Sequence, residues 1–159
     1  MALVKPTTQF RATRSEPPGA AANDPDRRDV YAAALQQAED LFDAAASVGA
    51  FARPLPLYYA VSQAGRAVAA AWLDDDWRAR GHGLAEDTSH DEWKRDGALH
   101  FRVRPAGCGV FTAVARSLGK GPLTSSVELG GLWAALPLVR APSGVVDWLP
   151  ALPLFPLAI

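Results

Sequence analysis

The sequence predicts an α+β protein. Two long stretches carry apolar residues at helical spacing, a segment near residue 100 alternates apolar and polar side chains, and a final short helical pattern follows a turn. The implied architecture is an N-terminal helical hairpin packed with a small β-hairpin and short C-terminal helices.

Residues 1–23 hold Pro6, Pro17, Pro18 and Gly19 with scattered charge and no period, the pattern of a mobile N-terminal arm. Regular structure is expected from Asp24, which can cap a helix that has Pro25 in its first turn. Val30, Ala34, Ala38, Leu41, Ala45 and Val48 recur on one face, flanked by Tyr31, Leu35 and Phe42. Asp29, Gln36, Glu39, Asp40 and Asp43 lie mainly on the other, and Gly49 can end this helix of about 25–48.

"FARPLPLYYAVSQAGRAVAAAWL" predicts a second helix over about 55–73. Leu57, Val61, Ala64, Val68 and Ala71 form one stripe; Tyr58, Ser62, Gly65, Ala69 and Trp72 form its neighbour. Two adjoining stripes rich in small residues predict a central helix that lets another helix approach closely and pairs with the first as a hairpin.

Residues 74–97 are polar and aperiodic. "ALHFRVRP" alternates, Leu99, Phe101 and Val103 against His100, Arg102 and Arg104, as a half-buried strand does. After the turn Pro105 to Gly109, "GVFTAVA" suits a second strand or the start of a short helix; taken as a strand it completes a β-hairpin near 98–112. Ser125 and Glu128 form a capping box for a short helix near 125–136 that Pro137 stops. The domain is therefore expected over 24–137, followed by an apolar, Pro-rich tail over 138–159. Such a tail needs a groove, further chain or a partner, so it implies protein contact or self-association.

The 159 residues suit one domain with a real core, and the net charge of −1 provides no bulk attraction to nucleic acid. Cys108 is the sole cysteine, which excludes an internal disulfide and fits a reducing cytoplasm. Apolar runs are interrupted by Arg66 or by prolines, so a soluble, cytoplasmic protein with no membrane association is expected. The 13 arginines against 3 lysines, with abundant alanine, suggest a high-GC bacterial origin.

The stretch "DDDWRARGHG", Asp74 to Gly83, gathers the densest charge. Consecutive carboxylates point to different sides, so Asp74, Asp75 and Asp76 read as a solvated exit from the central helix, its dipole offset by Arg78 and Arg80. His82, held between two glycines, can cap, fasten the loop or exchange protons. Arg66 is the one charge between Arg53 and Asp74 and shares a helical face with Tyr59 and Gln63. A buried guanidinium there needs a carboxylate, with Glu39 or Asp43 as the expected partner. The alternative is a ligand-binding face of Tyr59, Gln63, Arg66 and His82.

His82, His90, His100 and Cys108 lack the short paired spacing of a metal site, so neither a metal nor another cofactor is expected. "GKGPLTSS" fails as a phosphate loop, since Val114 stands at the leading glycine position and Gly121 follows Lys120. The candidate catalytic side chains are His82, Arg66 and His100. Arg95 and His100 meet the Arg-to-His spacing of the HEPN group of metal-independent ribonucleases, although Gly97 intervenes and His100 falls in the expected strand.

Five short motifs appear in order: "RPLPLYYAVSQAGRAVAAAWL", "RGHGL", "ALHFRVRP", "AGCGVFTAVARSLG" and "LTSSVELGGLWAALP". Through Arg53, Pro54, Leu57, Tyr58, Tyr59, Ala67, His82, Gly83, Val110, Phe111, Glu128, Leu129 and Pro137 the chain resembles the YaaC-like family over roughly residues 30–137. The resemblance implies a bacterial cytoplasmic protein and no established activity. Chains of that family tend to run longer, which implies a short form or a fragment. The expected function is that of a non-catalytic binding or interaction module, with a HEPN-like ribonuclease or defence-associated nucleic-acid enzyme as the alternative.

Overall fold

Asp24 opens the first long helix as its chemistry demands: its carboxylate accepts from the Arg27 N–H at 3.2 Å, and Pro25 occupies the first turn. The computed structural model describes residues 6–91, 93–121 and 123–134. In chain order these form α1 (Pro6–Ser15), α2 (Pro25–Ser47), α3 (Pro54–Trp72), β1 (Leu84–Glu86), α4 (Trp93–Asp96), β2 (Arg102–Pro105), α5 (Val110–Ser117), β3 (Val127–Glu128) and α6 (Leu129–Ala134). The class is α+β. The chain divides into two compact units, Met1–Gly83 with Ala106–Pro122, and Leu84–Pro105 with Leu123–Ile159.

In the first unit α2 and α3 form the expected helical hairpin, with α3 central. On one side Ala67, Ala70 and Ala71 pack with Tyr31, Ala34 and Leu35 of α2. On another, Ala69 and Leu73 pack with Val110 and Ala113 of α5. Gly65 is where α5 comes closest, since a methyl there would meet Val110 Cγ1 at 2.5 Å. Small residues thus do what their spacing predicts, exchanging side-chain bulk for helix proximity.

Three expectations change in this unit. Residues 6–22, read as an arm without period, hold α1 and a 3-10 turn over Gly19–Ala22, with Ala21 buried in the core. "GVFTAVA" is the helix α5 and not a strand, because the groove over Gly65 seats Val110 and Val114 one helical turn apart. Glu39, assigned to the solvent side of α2, is 2% exposed because α1 packs over that face.

In the second unit β2 is the middle strand of an antiparallel sheet, pairing Ala85 with Arg104 on one edge and Arg102 with Glu128 on the other. The expected hairpin near 98–112 is therefore replaced by strands from distant stretches. Leu99 and His100 lie in a 3-10 turn, and β2 begins at Arg102. Glu128 is a strand residue, so the short helix starts at Leu129, whose N–H donates to the Phe101 carbonyl at 2.7 Å. Pro137 and the tail over 138–159 lie outside the described residues.

Candidate functional site

His82 stands between two glycines in left-handed conformation, Gly81 at φ +73° and Gly83 at φ +83°. The backbone here is consumed by structure. Val110 and Phe111, at the start of α5, donate their N–H groups to the carbonyls of Gly81 and His82 at 3.1 and 3.0 Å. Ala106 donates to the Gly83 carbonyl at 3.0 Å. A Cβ at Gly109 would overlap the backbone of His82 and Gly83, so two glycine-containing turns cross with no side chain between them. The first two N–H groups of α5 are thereby taken by protein carbonyls.

Fixing the main chain leaves the His82 side chain free, and it meets aromatic rings. Its centroid lies 5.0 Å from Tyr58 and 6.4 Å from Tyr59, and the two tyrosines touch edge to face at 5.3 Å. Tyr58 and Tyr59 remain 48% and 43% exposed, so the cluster is open to solvent. Its imidazole makes no hydrogen bond among the described residues, so it lacks the orienting acceptor of an acid–base relay. Desolvation, and then Tyr59, raises the Tyr58 phenol above its ordinary value of 10.0, keeping it a hydrogen-bond donor at neutral pH.

The aromatic cluster belongs to a wider apolar face. Leu55, Leu57, Tyr58, Tyr59 and Val61 are all exposed on the first turns of α3, with Phe51 just before them. Leu57 and Val61 belong to a stripe expected to be buried; among the described residues nothing covers its first half. Gln63 and Arg66 follow on the helix, both half-buried. The Arg66 Nε is buried without a hydrogen-bond partner. The expected ion pair to Glu39 or Asp43 is absent, because Arg11 and Arg14 of α1 take the Glu39 carboxylate instead.

The other candidates belong to the second unit. His100 belongs to the second unit, where it and Arg102 approach Glu128 Oε1 at 3.7 and 3.5 Å. Arg95 sits on α4 with both Nε and Nη2 on Asp96, and Gly97 at φ +104° separates it from His100 in the 3-10 turn. The single helix that a HEPN-type Arg–His motif requires is not formed. The Arg95 fork holds the Asp96 carboxyl below its usual range.

The model of the YaaC-like protein family matches residues 6–142. The chain belongs to that family. No curated protein and no solved structure matches it. The match takes in α1 as well as the Tyr58, Tyr59 and His82 cluster.

Two arrangements were missed in the sequence. Arg27 of α2, 9% exposed, donates to the carbonyls of Ala70, Leu73 and Asp74 and so caps the end of α3. This is the offset expected of Arg78 and Arg80, supplied from another helix. Its signal was weak: a cation one turn before Tyr31 on the buried stripe. The second is Asp87, Ser89 and His90. Ser89 Oγ lies 2.9 Å from His90 Nδ1, and that nitrogen lies 3.1 Å from Asp87 Oδ2. Serine and aspartate share one imidazole nitrogen, and Ser89 Oγ also bonds Asp87 directly at 2.5 Å, so no proton relay runs through the ring. With the Ser89 N–H on Asp87 Oδ1, this is a turn closed by a buried carboxylate. Among the described residues no three metal-ligating side chains converge, and no helix is long and apolar enough to cross a membrane.

Proposed function

We propose that this YaaC-like chain is a non-catalytic binding module of the cytoplasm. It engages protein partners, its own copies among them, through the exposed aromatic face of α3. One observation carries the reading: Tyr58, Tyr59 and His82 form a solvent-open cluster whose backbone is rigidly held, while its polar atoms lack a catalytic relay. Rigid aromatic anchors on a fixed scaffold lose little entropy on contact and dominate interface energies. Gln63, half-buried, adds a polar group along the same helix. The apolar tail over 138–159 is a second adhesive segment in the sequence.

Sedimentation velocity of the full chain over a wide concentration range tests this. Association that weakens on Tyr58→Ala/Tyr59→Ala, by about 1–2 kcal/mol per anchor, is the expected result. A chain that stays monomeric, or a double variant that associates as the parent does, would overturn it. Turnover of labelled RNA that disappears on His82→Ala would replace it with the ribonuclease reading.

A further inference from the structure

Two stretches of this chain have complementary chemistry. The first is the start of α3, where Leu55, Leu57, Tyr58, Tyr59 and Val61 are exposed and Phe51 stands fully exposed just before them. This face has donors as well as rings. The phenol hydroxyls of Tyr58 and Tyr59 make no hydrogen bond among the described residues. Residues 44–73 carry Arg53 and Arg66 and no carboxylate, so the local charge is positive.

The second stretch is the tail over 138–159, whose chemistry is written in its sequence. Pro150, Pro153 and Pro156 recur every third residue, the period of one polyproline II turn. Proline has no N–H, and a polyproline II helix makes no internal hydrogen bonds, so its carbonyls need donors from outside. The residues between the prolines, Ala151, Leu152, Leu154 and Phe155, are all apolar. Over 141–159 the one ionisable side chain is Asp147, opposite in sign to Arg53 and Arg66. Proline-rich segments dock on aromatic surfaces because they are ordered in advance: rings pack on the pyrrolidines while phenols donate to the carbonyls. The lengths also agree. One Pro-x-x-Pro turn advances about 9 Å, and α3 rises about 9 Å from Leu55 to Val61.

We propose that the Pro150–Pro156 stretch of one copy docks, as a polyproline II segment, on the Tyr58–Tyr59 face of α3 in a second copy. The inference rests on the reading of that face as an interaction surface and names its occupant. The contact joins two different surfaces, so it is head-to-tail, and a bound pair keeps one free face and one free tail.

That asymmetry supplies the test, sedimentation velocity of full-length chains. Tyr58→Ala/Tyr59→Ala removes the face, and Pro150→Ala/Pro153→Ala/Pro156→Ala removes the tail's period while keeping it apolar. Each variant alone should associate about tenfold more weakly than the parent, with unchanged circular dichroism. An equimolar mixture should recover a 1:1 complex, since one partner brings an intact tail and the other an intact face. Tyr58→Phe/Tyr59→Phe, which keeps the rings and removes both donors, should weaken association several-fold. A mixture as dissociated as its components overturns the proposal, as does parent-like association of the proline variant or of the phenylalanine variant. Association that depends on the tyrosines and not on the prolines rejects this occupant and leaves the face an interaction surface. A parent chain that stays monomeric overturns both readings.

Discussion

Gly109 lies with its backbone against that of Gly83, too close to admit a side chain. This crossing lets the carbonyls of Gly81 and His82 receive the first N–H groups of α5, and it aims the imidazole at Tyr58. Gly109→Ala must push the two turns apart. The expected cost is about 2–3 kcal/mol in urea unfolding, as for overpacking elsewhere. The His82 ring resonances should also lose the ring-current shift of Tyr58. Unchanged stability together with unchanged shifts would show the crossing to be loose.

Arg27 gives a second prediction. Three carbonyls at the end of α3 rely on its guanidinium, which also stacks on Trp77. Arg27→Met keeps much of the packing and removes the donors, and it should cost about 2 kcal/mol, since hydrogen bonds from a charged group are worth more than neutral ones. Arg27→Lys should recover only part, lacking the planar fork. An Arg27→Lys variant as stable as the parent would show that charge alone matters.

Glu39 tests whether α1 is integral to the fold. Its carboxylate is buried, and Arg11 and Arg14 are its cationic partners. Arg11→Ala/Arg14→Ala strands that charge and should destabilise the protein by about 3 kcal/mol. Adding Glu39→Met should restore most of the loss, because the stranded carboxylate and not the missing pair carries the cost. A double variant as stable as the parent would mean that Glu39 gains nothing from α1.

Acid sensitivity is set in the second unit. Hydrogen bonds from Ser126 and then Ser89, with the charge of His90, hold the Asp87 carboxyl far below its ordinary 3.8. A carboxyl with a lowered pKa in the folded state adds stability that is complete above the unfolded value and is lost as pH falls through the folded one. The stability difference between the parent and Asp87→Asn should therefore be level above about pH 5 and shrink on acidification below 3.8. A difference independent of pH down to pH 2 would show that Asp87 does not titrate with unfolding.

The elements that were legible share one property: their pattern was written in consecutive residues. Asp24 and Pro25 mark the start of α2, and the small residues of α3 declare a helix meant for close neighbours. Sites fared similarly. His82 stood out through its flanking glycines, and Tyr59 through its place on α3, yet the partner that joins them, Tyr58, carried no chemical signal beyond its ring. What stayed hidden depended on distant segments. "GVFTAVA" suits a strand or a helix equally, and the seat over Gly65 decided for α5. Glu128 had the spacing of a helix cap, but pairing with Arg102 drew it into β3.

By itself, then, the sequence determined the α+β class, the α2–α3 hairpin and the family, because helical periodicity and capping are local and survive any arrangement of the rest. The tertiary structure alone decided which charges are buried. Glu39 and Arg27 lie on a helix whose polar residues look alike in sequence. Whether a charge can leave water depends on a counter-charge or a row of carbonyls arriving from elsewhere in the chain, and here α1 brings one and the end of α3 the other.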